Sequence, residues 1–207
     1  LKIEFEDYST AEKICSAALI IIMFYGGFGT KWSMARPVAG KSILLSTLGV
    51  LFTAGLTGLF CHYVLKMELL TGLLVGAVLG STDAASVFSI LRSKRLNLKY
   101  GTASMLEIES GSNDPCAYML TIIILSAMSG ELSYGGILYS VFAQLAYGIG
   151  AGVLFAFLGG LVLRRVRLGE DGFQSIFLVS IDVASYALPS LFGGNGYLAT
   201  YMTGIML

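Results

Sequence analysis

Four carboxylates stand in stretches of the chain that are otherwise apolar. Asp83 ends the run GSTD, and Glu107, Glu109 and Asp114 belong to the run EIESGSNDP. Placing a charged side chain in the middle of a bilayer costs from about 3 to more than 10 kcal/mol, depending on how the cost is measured. Such residues persist where they line a cavity or bind an ion or a proton. The two runs are therefore the candidate functional site.

The residues beside these carboxylates are small, hydroxylated or amidic. Glycine and hydroxyl residues before Asp83 favour a break in a helix, which frees backbone carbonyls to face a cavity. Pro115 lacks an N–H, so the carbonyl of Gly111 has no partner within a helix. Helical spacing places Ser110 and Asp114 on one face. Carboxylate, amide, hydroxyl and carbonyl oxygens suit an alkali cation, which is the ligand that this pattern predicts.

The composition is that of a membrane protein. Hydrophobic residues make up 56% of the 207 residues, the mean hydropathy is +0.79, and only 13% of residues are charged. A soluble domain has about 25% charged residues, so this chain could not build a polar surface. The formal net charge is zero. That balance argues against nucleic acid as a partner, because phosphate binding needs a basic surface.

The apolar residues form seven runs of a length that suits a bilayer. We predict membrane helices at 12–30, 42–65, 69–91, 102–128, 136–163, 173–192 and 196–207. Helices are expected because lipid offers no partner for unpaired backbone groups. The last run is too short to cross, the chain begins at Leu1 rather than at a methionine, and it ends within an apolar run. We therefore expect the chain to be a piece of a longer protein, with residues 1–207 forming part of one transmembrane domain.

The connecting loops alternate in positive charge, which predicts their sides of the membrane. Lys and Arg concentrate at 31–41, 92–99 and 164–167, whereas the intervening loops have almost none. Cytoplasmic loops are the Lys/Arg-rich ones, so these three loops should face the cytoplasm of a multi-pass protein in the cell membrane. Helix rise then puts Asp114 roughly 18 Å and Asp83 roughly 21 Å from the ends of their segments. Both should lie well inside a hydrocarbon core of about 30 Å.

The two motifs together resemble a known family. GSTDAASVFSIL, followed about 25 residues later by LEIESGSNDP, resembles the NhaP-type monovalent cation/proton antiporters. The resemblance is greatest to the bacterial potassium/proton antiporters, and it extends to LLSTLGVLFTAGLTGL and GYLATYMTGIML. It implies an all-α fold of about 13 helices in two inverted repeats, with a broken helix at the ion site. This chain would match roughly the third to ninth helices, and the complete protein would be a homodimer.

The resemblance also implies a cation- and proton-binding site. Its residues would be Asp114, Asn113, Thr82, Asp83, Glu109 and Ser110. Asp114 would bind the ion or the proton, with Asn113 as its amide partner. Thr82 and Asp83 would belong to the broken helix, and the other two would complete or brace the site. An Asn–Asp pair accompanies electroneutral exchange in related transporters.

Two features depart from the family pattern. Relatives often have an acidic residue in a DGG run at the end of the first segment, where this chain has Tyr25 followed by two glycines. Asp182 in the sixth segment is also unusual and has no assigned role, and pairing with a structural partner is its simplest explanation. Thr82 and Ser110 could each also hydrogen-bond only to their own helix.

These patterns predict a secondary active transporter and not an enzyme. K⁺, or else Na⁺, would exchange for protons at Asp114 as the protein alternates its access to the two sides, without any cofactor beyond the transported ions. The preference for K⁺ rests on the resemblance. A passive cation channel is an alternative, although the chain has no TVGYG-like run. A membrane sensor that does not transport is another alternative.

Overall fold

The structure is a computed structural model that describes residues 7–94, 98–130, 134–165 and 171–207, without the side chains of Arg92, Tyr134 and Asp171. Parts of two predicted cytoplasmic loops, at 95–97 and 166–167, lie outside the described residues. Within the described ranges the regular structure is helical. The α-helices are α1 (Tyr8–Phe28), α2 (Trp32–Tyr63), α3 (Leu69–Leu79), α4 (Ala84–Ser93), α5 (Thr102–Met128), α6 (Tyr134–Arg165), α7 (Asp171–Ser190) and α8 (Gly196–Met206).

The seven predicted segments correspond to these helices, and the third segment is divided into α3 and α4. Four stretches are long and apolar enough to cross a membrane by length and composition: Tyr8–Phe28, Trp32–Tyr63, Leu69–Leu91 and Gly135–Arg165. The prediction of a loop at 31–41 was wrong, because α2 begins at Trp32. Hydropathy marks where a chain leaves the apolar region, whereas its helix can continue into polar surroundings. Pro37, near the start of α2, removes only one hydrogen bond there.

The helices expose apolar side chains and bury many polar ones. On α2 and α6, Phe52, Leu56, Leu138 and Phe157 are each at least 66% exposed. Small polar residues such as Ser46 are buried. An exposed apolar surface of this extent suits lipid rather than water. The burial pattern therefore supports the assignment to a multi-pass membrane protein.

Glycines allow the closest helix contacts. A side chain on Gly76 would collide with the backbone of Ala54 in α2, and one on Gly204 would collide with the backbone of α1. Along α6, Gly148, Gly152 and Gly159 face α8 or α7 so closely that an added methyl group would be crowded. Small residues allow helices to approach closely in membranes, and these three glycines of α6 provide such contacts.

The helices pack as two groups. Helices α2, α3 and α5 pack against one another around Ala54, Ala77 and Ile124. We call them the α5 group. Helices α6 and α7 pack on α8, which also packs along α1, and we call these four helices the α8 group. The short helix α4 lies between the groups, where Phe88 packs against α1 and α8. The candidate site lies at the junction of α3, α4 and α5.

Candidate functional site

The predicted break in the third segment is confirmed at residues 80–83. Helix α3 ends at Leu79, and the N–H of the capping residue Gly80 donates to the carbonyl of Ala77 at 3.2 Å. Helix α4 then starts after Asp83, whose Oδ1 accepts from the N–H of Ser86 at 3.1 Å. The Ser86 hydroxyl donates to the other carboxylate oxygen. Local hydrogen bonds therefore cap the helix on each side of the break. The residues between the two caps extend towards α5.

Three side chains of α5 are hydrogen-bonded to the break. The Ser81 hydroxyl donates to Oδ1 of Asp114. The hydroxyl oxygens of Thr82 and Ser110 are 2.9 Å apart, and Nδ2 of Asn113 donates to Thr82 Oγ1 at 2.6 Å. Thr82 and Ser110 thus bond across the two segments rather than only within their own helices. Five side chains from two distant motifs meet here, as the resemblance implied for four of them.

Ser110 has a neighbour that helical spacing alone did not indicate. It shares a helix face with Asp114, and its hydroxyl is also linked to Asn113 through Thr82. Residues three apart on a helix are neighbours as well as those four apart, so Ser110 lies between the two faces. Asp114 is bonded by Ser81 instead.

The amide oxygen of Asn113 has no hydrogen-bond partner among the described residues. Nδ2 of this side chain points to Thr82 and, at 3.4 Å, to Oε1 of Glu109. A carboxylate accepts hydrogen bonds, so the Nδ2 atom is the end of the amide that suits Glu109. Oδ1 of Asn113 is left unpaired on a side chain that is 1% exposed. A buried polar atom without a partner costs roughly 1–3 kcal/mol, so this oxygen is a ready acceptor for a ligand.

Asp83 has a structural role that the sequence did not predict. Its carboxylate is exposed and caps α4, with the same spacing by which Asp7 caps α1 through the backbone and hydroxyl of Thr10. At Asp7, outside the membrane segments, the hydrogen bonds from Thr10 lower the pKa of the carboxyl. The cation-binding role of Asp83 stays a prediction.

A cavity of about 350 Å³ opens beside the break. Its polar lining includes Ser81, Asp83, Asp114 and Thr121. A larger cavity of about 710 Å³ lies beside α5 and is mostly apolar. It contains Asn195 but none of the carboxylates. Chemistry at Asp114 therefore belongs to the smaller cavity.

The sequence analysis missed Ser81 as a site residue. The resemblance drew attention to Thr82 and Asp83, whereas the hydroxyl that reaches Asp114 belongs to the residue before them. The signal was present, because Ser81 is one of the hydroxyl residues that favoured the break. What the sequence did not show was the direction in which each hydroxyl points once the helix is interrupted.

The family model described as sodium/hydrogen exchanger, transmembrane, matches residues 2–207. The chain belongs to this family. Its membership confirms the expectation that the GSTD and EIESGSNDP motifs raised.

Individual relatives are antiporters by name. The chain is 40% identical over 210 residues to the K⁺/H⁺ antiporter NhaP2 of Shewanella sp. (strain ANA-3), covering 98% of this chain and 35% of the relative. It is also 40% identical to the K⁺/H⁺ antiporter NhaP of Alkalimonas amylolytica, with the same coverage of both chains. A probable Na⁺/H⁺ antiporter 2 of Methanocaldococcus jannaschii is 27% identical, over 96% of this chain and 48% of that relative. The chain spans about a third of the length of the first two relatives.

The fold is shared with a solved structure. The sodium proton antiporter MjNhaP1 from Methanocaldococcus jannaschii, determined at pH 8, superposes with a TM-score of 0.74 at 23% sequence identity. The match covers 91% of this chain and 46% of that one. The all-α antiporter fold predicted from the sequence is therefore confirmed.

Proposed function

We propose that the complete protein exchanges a monovalent cation for protons across the cell membrane, and that Asp114 binds either one. The observation that carries this proposal is the surroundings of Asp114. Its carboxylate lines a cavity beside a helix break and accepts a hydrogen bond from Ser81, and the preceding residue, Asn113, has a buried amide oxygen without a partner among the described residues. Family membership supports antiport, whereas the channel and sensor alternatives have no comparable support.

Exchange follows if the two ligands compete for the same carboxylate. A cation would be held by Asp114 with neutral oxygens from Asn113 and the hydroxyl residues of the break. A proton would neutralise the same carboxylate and remove its attraction for the cation. Glu109 would brace the amide of Asn113, which donates towards it. A single carboxylate that trades one positive charge for another makes the exchange electroneutral.

The ion, the orientation and the assembly are parts of the same proposal. Potassium is favoured over sodium because the relatives at 40% identity are K⁺/H⁺ antiporters, whereas the Na⁺/H⁺ relative is 27% identical.

Alternating access would arise from movement of the α5 group relative to the α8 group. The Lys/Arg-rich stretches 31–41, 92–99 and 164–167 would face the cytoplasm. The complete protein would act as a homodimer.

The experiment uses the full-length protein in proteoliposomes that contain a pH-sensitive dye. K⁺ and then Na⁺ are added over a series of pH values, with and without valinomycin to clamp the membrane potential in K⁺. We expect K⁺ to drive proton movement at lower concentrations than Na⁺, and clamping the potential to leave the rate unchanged.

The Asp114→Asn variant is the decisive comparison. It keeps the size of the side chain and removes the charge that would bind the cation, so cation-driven proton movement should disappear. Full exchange by this variant would refute the role of Asp114. Cation flux without proton movement in the unmodified protein would refute antiport and favour the channel.

A further inference from the structure

One buried side chain, that of Asn195, joins the α8 group to the ion-binding helix. It precedes α8 in the chain and is 1% exposed. Its Oδ1 accepts from the N–H of Leu198 at 3.0 Å and so caps α8, while its Nδ2 donates to the carbonyl of Pro115 at 2.9 Å. Its own N–H donates to the carbonyl of Gln144 in α6 at 3.1 Å. One residue therefore connects α5, α6 and α8.

The connection is made beside the candidate site. Pro115 directly follows Asp114, at a point where α5 is weakened because proline has no N–H to give. A second contact between the groups lies about one turn earlier on α5, where Gly111 packs against the ring of Tyr201. The Tyr201 hydroxyl also donates to the carbonyl of Glu107 at 3.4 Å. Of these contacts, the bond from Asn195 is the shorter hydrogen bond and the one next to Asp114.

We propose that Asn195 is a positioning residue that fastens the Asp114–Pro115 turn of α5 to the α8 group. Its bond to Pro115 has to break whenever the α5 group moves relative to the α8 group, so it holds the protein in the arrangement seen here. This inference rests on the proposed function for its role in transport. The bond joins two neutral groups, so Asn195 acts on the movement of the helices and not on the charge that binds the ion.

The structure suggests a substitution that separates the two roles of Asn195. In Asn195→Ser, the hydroxyl can still cap α8, because serine is a good N-cap residue, but it is too short to reach Pro115. Asp7→Ser is the matched control. Asp7 caps α1 with a similar bond of 3.0 Å, and among the described residues its side chain accepts hydrogen bonds from Thr10 of the same helix.

The reactivity of Cys116 can report on the contact between Asn195 and Pro115. It follows Pro115, is half-buried, and lines the larger cavity together with Asn195 and Leu198. Cys15, Cys61 and any cysteine of the full-length protein outside residues 1–207 are replaced by serine in every variant. The rate of modification of Cys116 by N-ethylmaleimide is then measured in the full-length protein in proteoliposomes, beside the exchange kinetics of the same samples.

We expect Asn195→Ser to raise the rate of Cys116 modification about two- to tenfold, the change that loss of one hydrogen bond gives. Asp7→Ser should leave that rate unchanged. In transport, Asn195→Ser should alter the maximum rate and leave the apparent KM for the cation and its pH dependence as they are. A residue that only stabilises the fold would change the free energy of unfolding without changing the maximum rate independently of the apparent KM.

Two results would overturn the inference. One is an unchanged rate of Cys116 modification in Asn195→Ser. The other is a change of apparent KM as large as the change in maximum rate, which would mean that Asn195 acts on ion binding. If the unmodified protein shows no exchange at all, the proposed function fails, and the modification rates still decide whether Asn195 holds the two groups together.

Discussion

Asp114 and Asp182 are both carboxylates within apolar helices, but the structure gives them opposite surroundings. Asp114 accepts a hydrogen bond from Ser81, stands next to Asn113, and faces a cavity. Asp182, in α7, is 2% exposed, and its Oδ1 has no hydrogen-bond partner among the described residues. Its backbone carbonyl accepts from the Ser185 hydroxyl, which leaves the carboxyl group itself without that donor.

The difference shows what turns a buried carboxylate into a candidate ion site. Beside Asp114 an interrupted helix supplies hydroxyl groups and a cavity, whereas Asp182 lies in the uninterrupted helix α7. A carboxyl group that is desolvated without compensation favours its neutral form. We therefore interpret Asp114 as the group that exchanges ligands and Asp182 as a neutral packing residue.

The largest expected effect comes from making the same substitution at both positions. Asp114→Asn should abolish cation/proton exchange, because it removes the charge that the cation needs. Asp182→Asn should retain exchange, because a neutral carboxyl is replaced by a neutral amide of the same shape. Cation-driven proton movement in proteoliposomes measures both. Equal loss of exchange in the two variants would erase the distinction between the two carboxylates.

A pH series sharpens the comparison. If a proton and the cation compete at Asp114, the apparent KM for the cation rises as the pH falls. In the range where the protonated form predominates, the rise should approach about tenfold per pH unit. Asp182→Asn should show the same slope as the unmodified protein. An apparent KM that does not change with pH would contradict competition at one carboxylate.

A smaller effect is expected at the hydroxyl groups that surround the ion site. Thr82→Val keeps the volume of the side chain and removes the oxygen that meets Ser110 and Asn113. We expect the apparent KM for the cation to rise about three- to tenfold, the range for loss of a hydrogen bond. Ser180→Ala in α7 is a suitable control, because among the described residues its hydroxyl donates to the carbonyl of Ile176 in its own helix. Equal effects of the two changes would indicate a general loss of stability.

The smallest effect on transport is expected from an apolar residue at position 182. Asp182→Leu should leave exchange intact and raise the free energy of unfolding by about 1–3 kcal/mol, because it removes an unpaired buried polar atom. Thermal unfolding of the detergent-solubilised protein measures the change. A loss of stability would instead show that Asp182 has a partner outside the described residues, as the sequence analysis suggested.

The sequence predicted the helices and the place of the site better than it predicted the contacts. Apolar runs marked the segments because a bilayer requires them, and glycine with hydroxyl residues marked the break at 80–83. The prediction of a loop at 31–41 was wrong because helix α2 extends beyond the apolar region. The roles of Ser81 and Asn195 could not be read from the chain, since each depends on a contact with a residue at least 33 positions away.

The cap that Asp83 places on α4 has a consequence for how the site is assembled. Its carboxylate oxygens accept hydrogen bonds from the N–H and the hydroxyl of Ser86, three residues away. The cap that starts α4 is thus formed within a few residues of the chain and needs neither α5 nor an ion. During biosynthesis the two half-helices can form before Asp114 has been synthesised, and α5 then docks onto a gap that already exists. A ligand entering that gap finds its surroundings pre-organised, and no binding energy has to be spent on unwinding a helix.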